Sequence, residues 1–222
     1  MDDWEAPETW TLERLDALLG ESQVVVRSRV GAHARAFDYR RVPFRDVIAS
    51  AKNDGPDYLV SSPALAAVPE LAREIRSPPY VGRLSRPPVA FVGPKAAVTP
   101  LHYDLHHGLL AQVSGRKQVT LASFKARDIV SNWELRGPAR LSEPIFDGES
   151  SSASPAPERV WQCTLSPRQM LFIPALVHHC VRCVDPVVSL SFTWHTAPLY
   201  VVAKIGKFLA GSYMARSDQI GR

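Results

Sequence analysis

Hydrophobic spacing changes character near residue 84. Before that point the apolar positions recur mainly at helical intervals. In LERLDALL, Leu12, Leu15, Leu18 and Leu19 fall on one helix face, with Thr11 placed as an N-cap and Gly20 as a stop. QVVVRSRV reads as a strand, and VPFRDVIASA as a helix that turns Phe44, Val47 and Ile48 to one side. SPALAAVPELAREI is helical with Pro63 in its first turn, and Pro69 forces a break or a second start.

From about Pro87 onward, short apolar runs alternate with turn signals. They are VAFVG, LLAQVSGRKQVTLAS, ERVWQCTL, QMLFIPA, HHCVRCV and VVSLSFTW, the rhythm of an antiparallel β sandwich or barrel. The Ser/Pro-rich PIFDGESSSASPAPE, Pro144 to Glu158, interrupts them as a surface loop. Helical spacing returns from Leu199 to Met214, a segment free to pack on the barrel or on a second copy in a homodimer. The expected class is α+β and mainly β. It divides into an N-terminal segment (1–83), a barrel (84–196) and a helical C-terminal tail (197–222). No internal repeat is visible.

Composition narrows the partners. The 222 residues suit one domain with a helical annex, and 45% hydrophobic content excludes wholesale disorder. Lys plus Arg exceed Asp plus Glu by only 26 to 22, and the excess forms no stripe, so nucleic acid is not the expected partner. No apolar run reaches the roughly 18 residues that span a bilayer. The acidic start MDDWEAPETW is not a secretory signal, and three cysteines make no disulfide framework, so a cytoplasmic setting is expected.

One stretch carries candidate chemistry. TPLHYDLHH, Thr99 to His107, holds three of the seven histidines. On a strand, His102 and Asp104 share a face and Tyr103 takes the other. HHCV supplies a third ligand, His178 or His179. Two imidazoles and one carboxylate suit Fe(II) and leave positions open for substrates. Each feature has a plainer alternative. His102 and Asp104 could simply bond each other, and Lys117, in the hairpin-like GRKQ, could be a solvated surface lysine. Cys180 and Cys183 have Cys-x-x-Cys spacing, but a zinc site needs two further ligands. Sharing the His178 face, Cys180 is expected to point inward. His106 and His107 are expected to line the entrance at most, and His195 to be structural.

VTPLHYDLHHGLLAQVSGRKQVTL, MLFIPALVHHCV and VSLSFTW together resemble the JmjC/cupin-like 2-oxoglutarate oxygenases, nearest the branch of the asparaginyl hydroxylase acting on hypoxia-inducible factor. The likeness covers about Leu84 to Trp194. It implies a double-stranded β-helix, or jelly roll, with Fe(II) on His102, Asp104 and His178, and His179 pointing away. It further implies that Lys117 and Thr99 hold the far carboxylate of 2-oxoglutarate, with Tyr58 helping and Ser191 lining the other end. The chain departs from the family at Val177, at SPRQM, and at Gly108 and Ser191, where polar contacts are lost. The implied activity uses Fe(II), O2 and 2-oxoglutarate to hydroxylate a C–H bond, releasing succinate and CO2. The substrate expected is a peptide or protein side chain. Alternatives are a small molecule or natural product, RNA, or a metal-binding cupin module without 2-oxoglutarate activity.

Overall fold

The computed structural model describes residues 1, 3–28, 38–79, 81, 84, 86–123 and 158–195. Nearly all of the expected 144–158 loop and the whole helical tail lie outside these residues. Thr11 caps the helix it was expected to cap, accepting the Arg14 amide at 3.1 Å. Before it lies a short helix α1 (Ala6–Thr9); the capped helix is α2 (Leu12–Leu19). Within α2, Leu15 and Leu19 are buried and Leu12 packs beside them, but Leu18 is exposed. At about 100° per residue, Leu18 falls on the opposite side of Leu15 from Leu12 and Leu19. Helix α3 (Phe44–Lys52) buries Phe44, Val47 and Ile48 as its spacing requires. Pro69 does divide its segment, into a 3-10 turn (Leu65–Ala67) and α4 (Pro69–Arg73).

The strands form two antiparallel sheets. Their ranges are β1 (Gln23–Ser28), β2 (Asp38–Pro43), β3 (Asp57–Ser62), β4 (Val89–Gly93), β5 (Val98–His102), β6 (His107–Ser114), β7 (Lys117–Ser123), β8 (Arg159–Leu165), β9 (Met170–Ile173), β10 (His178–Cys183) and β11 (Val187–Trp194). The larger sheet runs β2-β1-β3-β4-β11-β6-β9 and the smaller β5-β10-β7-β8. This is a jelly-roll sandwich. Among the described residues no strand pairing joins one sheet to the other, so the barrel is not closed. Strands β1 to β3 extend the same sheet that carries β4 and β11.

Period-two alternation gives the larger sheet two faces. Its outer face meets the helices in one core running from Trp4 to Phe192, which takes Val188, Leu190 and Phe192 from β11 and Leu109, Ala111 and Val113 from β6. Each such valine, leucine or phenylalanine contributes roughly 1.5–3 kcal/mol by leaving water. Between the sheets, Leu110, Val119, Leu165, Ile173 and Val181 make a second cluster, and Tyr58, Ala97, Cys183 and Val187 a third. The clusters leave a cavity between them.

Candidate metal centre

His102 ends β5, and Asp104 follows two residues later. On the paired strand β10, His179 stands directly opposite His102. The His102 and His179 rings lie 4.2 Å apart, and their Nε2 atoms sit 3.9 and 3.8 Å from Asp104 Oδ2. One ligand atom from each of the three falls within 4.8 Å of the others, close enough for one ion to touch all three. The donor set, two imidazoles and a carboxylate on one side, fits an iron(II)-type centre. Burial, then the neighbouring His102, push His179 down to about 4. It is therefore neutral at pH 7, the form that ligates a metal.

The structure thus differs from the sequence expectation at the third position. His178, expected as the ligand, faces the opposite side of β10 and packs edge-on against Tyr103 at 5.0 Å. His179, expected to point away, is the residue that joins His102 and Asp104. The reason is register. Cys183 pairs with Lys117, Val181 with Val119, and His179 with Leu121, so odd-numbered β10 residues face the other sheet. Arg182 carried the missed signal: a charged residue belongs on the other face, and His178 and Cys180 share its parity. Cys180 accordingly turns away from the site and bonds Thr120, contrary to the inward placement expected. Tyr103 does face away from the cavity, but it is buried rather than outward. A bulge completes the arrangement. Four residues of β5, Thr99 to His102, match three of β10, His179 to Val181, so Thr99 and His102 both reach the cavity.

The cavity, about 160 Å³, is lined by all of Tyr58, Thr99, Lys117 and Ser191, together with His102, Asp104 and His179. At its floor Lys117 is 1% exposed. Its ammonium donates to Ser189 Oγ at 2.5 Å and lies 4.9 Å from the Phe91 ring and 5.9 Å from the Tyr58 ring. No acidic residue pairs with it among the described residues, and burial pushes it down to about 8. Burial also raises the Tyr58 phenol well above its ordinary value, and Thr99 and Cys183 are its hydrogen-bonding neighbours. Arg27 stacks over the same ring at 5.4 Å. Two cations therefore surround the floor, while Asp104 is the single acid among the lining residues.

Arg86 and Thr193 line the cavity without having been recognised in the sequence, and His106 goes further than the entrance role expected of it. Arg86 stands exposed at the mouth. Thr193 follows Ser191 at the two-residue period of β11, a spacing that could have flagged it. His106, expected to be a bystander at the entrance, lines the cavity with Nε2 3.9 Å from Asp104 Oδ1. His107 packs instead against both Phe172 and Trp194, and its Nδ1 accepts the Ala175 amide. His195 Nδ1 meets the Leu105 carbonyl at 3.2 Å, in keeping with its structural role.

Comparison with known proteins agrees with this architecture. The chain is similar to lysine-specific demethylase 8 of Xenopus tropicalis, 28% identical over 204 residues, covering 87% of this chain and 46% of that protein. Lysine-specific demethylase JMJ30 of Arabidopsis thaliana is 29% identical over 207 residues, covering 87% and 48%. The tRNA wybutosine-synthesizing protein 5 of Danio rerio is 27% identical over 218 residues, covering 86% and 65%. The chain spans about half the length of the two demethylases. The family described as "Cupin-like domain" matches residues 1–199, which include every described strand and helix, and this chain belongs to it.

Proposed function

We propose that the protein is an Fe(II)- and 2-oxoglutarate-dependent dioxygenase that hydroxylates a C–H bond, on a peptide or protein side chain. One observation carries the reading. A fully buried lysine with no acidic partner among the described residues opens into the same cavity as a His-Asp-His cluster. A buried ammonium is costly unless an anion meets it. A dicarboxylate that also reaches a metal answers both ends of the cavity. His102, Asp104 and His179 would hold the iron, which when bound supplies the activation of O2. Lys117 would take the far carboxylate as a charge-assisted pair. Thr99 and Tyr58 would bond that same group, Ser191 would line the co-substrate's flank, and Phe91 and Leu110 would keep water from it.

Support for a protein substrate comes from the names of the demethylase relatives, and for RNA from the tRNA-modifying one. The small charge excess favours the former. The decisive measurement is succinate release from 2-oxoglutarate by the purified, Fe(II)-loaded protein across peptide, RNA and small-molecule panels. His179→Ala is expected to lose metal binding and turnover, and His178→Ala to keep the metal. No succinate and no 2-oxoglutarate binding by wild type would sink the proposal.

A further inference from the structure

A row of hydroxyls runs along the inner face of β11, and its two ends differ. Ser189, Ser191 and Thr193 alternate with the core residues Val188, Leu190 and Phe192. Ser189 receives the Lys117 ammonium. Four residues on, roughly 13 Å along the strand, Thr193 is 3% exposed and lines the cavity, yet its Oγ1 has no hydrogen-bond partner among the described residues. Buried hydroxyls are almost always paired, so this one calls for a ligand. There is room for one. Gly108 is the β6 partner of Thr193, and a Cβ placed there would meet nothing nearer than the Ile173 carbonyl, at 3.9 Å. His106, whose buried Nδ1 likewise has no hydrogen-bond partner among the described residues, lines the same cavity.

We propose that Thr193 donates a hydrogen bond to the metal-end carboxylate of 2-oxoglutarate, in the space Gly108 leaves free. The inference rests on the reading of the cavity as a 2-oxoglutarate site and adds the residue that orients the end opposite Lys117. A chain molecule anchored on Lys117 beside Ser189 and extended toward His102 and His179 runs along this row of hydroxyls. Ser191 then meets its middle, and Thr193 its chelating end.

The test uses the full chain loaded with Mn(II) under anaerobic conditions, with affinities read by calorimetry. Thr193→Val removes the hydroxyl and keeps the shape. It is expected to weaken 2-oxoglutarate about tenfold, the effect of one hydrogen bond to a charged group. Thr193→Ser is expected to stay within about twofold of wild type. Affinity for 4-oxopentanoate, which has a methyl group in place of the metal-end carboxylate, should not change in Thr193→Val. The Thr193→Val protein should also melt no lower than wild type, because it buries one unpaired polar group fewer. Unchanged 2-oxoglutarate affinity in Thr193→Val, or equal loss for both ligands, overturns the inference alone. Wild type that binds no 2-oxoglutarate overturns the proposed function and this inference with it.

Discussion

Lys117 combines a liability for the fold with a use for the site. Its ammonium is buried against two aromatic rings and one hydroxyl, and burial holds it at about 8, below the ordinary lysine value of 10.5. Between pH 8 and 10.5 the unfolded chain therefore binds more protons than the folded one. Stability of the ligand-free protein rises with pH across that window, and the full cost is present below pH 8. Lys117→Met is expected to stabilise the ligand-free protein at pH 7 by about 2 kcal/mol, the charging cost less the lost bond to Ser189. The gain should vanish by about pH 10.5 in denaturant titrations. The same variant is expected to weaken 2-oxoglutarate at least tenfold, and wild-type affinity should fall as pH rises past 8 and the ammonium is lost. A lysine that merely packed would give neither effect. As a string, GRKQ is equally compatible with a surface hairpin. It is the pairing of Lys117 with Cys183 and the closure of the second sheet above it that put the ammonium inside.

At the scale of the strand, one residue of register exchanges the roles of His178 and His179. Both are buried, at 2% and 6% exposure, so burial cannot distinguish them. Face parity can, because β10 must put Val181 against Val119 in the inter-sheet cluster. The opposing sheet holds its side of the cavity through close contact. On β4, Gly93 lies under the Tyr58 ring, and a Cβ there would sit 2.3 Å from Tyr58 Cδ2. Gly93→Ala is expected to push the ring into the cavity, to destabilise by about 1–3 kcal/mol, and to weaken 2-oxoglutarate more than it affects the metal. Denaturation and separate metal and co-substrate titrations measure the two effects. Equal affinity for 2-oxoglutarate in wild type and variant would show that Tyr58 does not set the floor.

Across the whole molecule, one carboxylate ties the first two helices to the end of α4. Glu74, just past α4, accepts from Arg14 through both oxygens and from Thr9 and Trp10. These bonds, Arg14 first, hold it down at about 2 against some burial. A depressed carboxylate stabilises fully above its unfolded value near 4.5, and the contribution is lost as pH falls through 2. Glu74→Gln is expected to lower stability at pH 7 by about 1–2 kcal/mol, a modest figure because Arg14 is 35% exposed. Wild type and variant should converge near pH 2, and metal binding at pH 7 should be untouched. Denaturant titrations at both pH values, with a metal titration at pH 7, check this.

Local periodicity was enough to read α2 and α3, the Pro69 break, the β-rich second half and the placement of His102 and Asp104 near one another, because each depends on residues a few positions apart. Motif likeness added Lys117, Thr99, Tyr58 and Ser191, and all four line one cavity with the histidines. That His179 rather than His178 faces the cavity, that Cys180 turns away from it and that Thr193 lies opposite Gly108 depend on strands distant in the chain. A strand read alone has two equivalent faces, and only its pairing and the sheet packed upon it say which one looks inward.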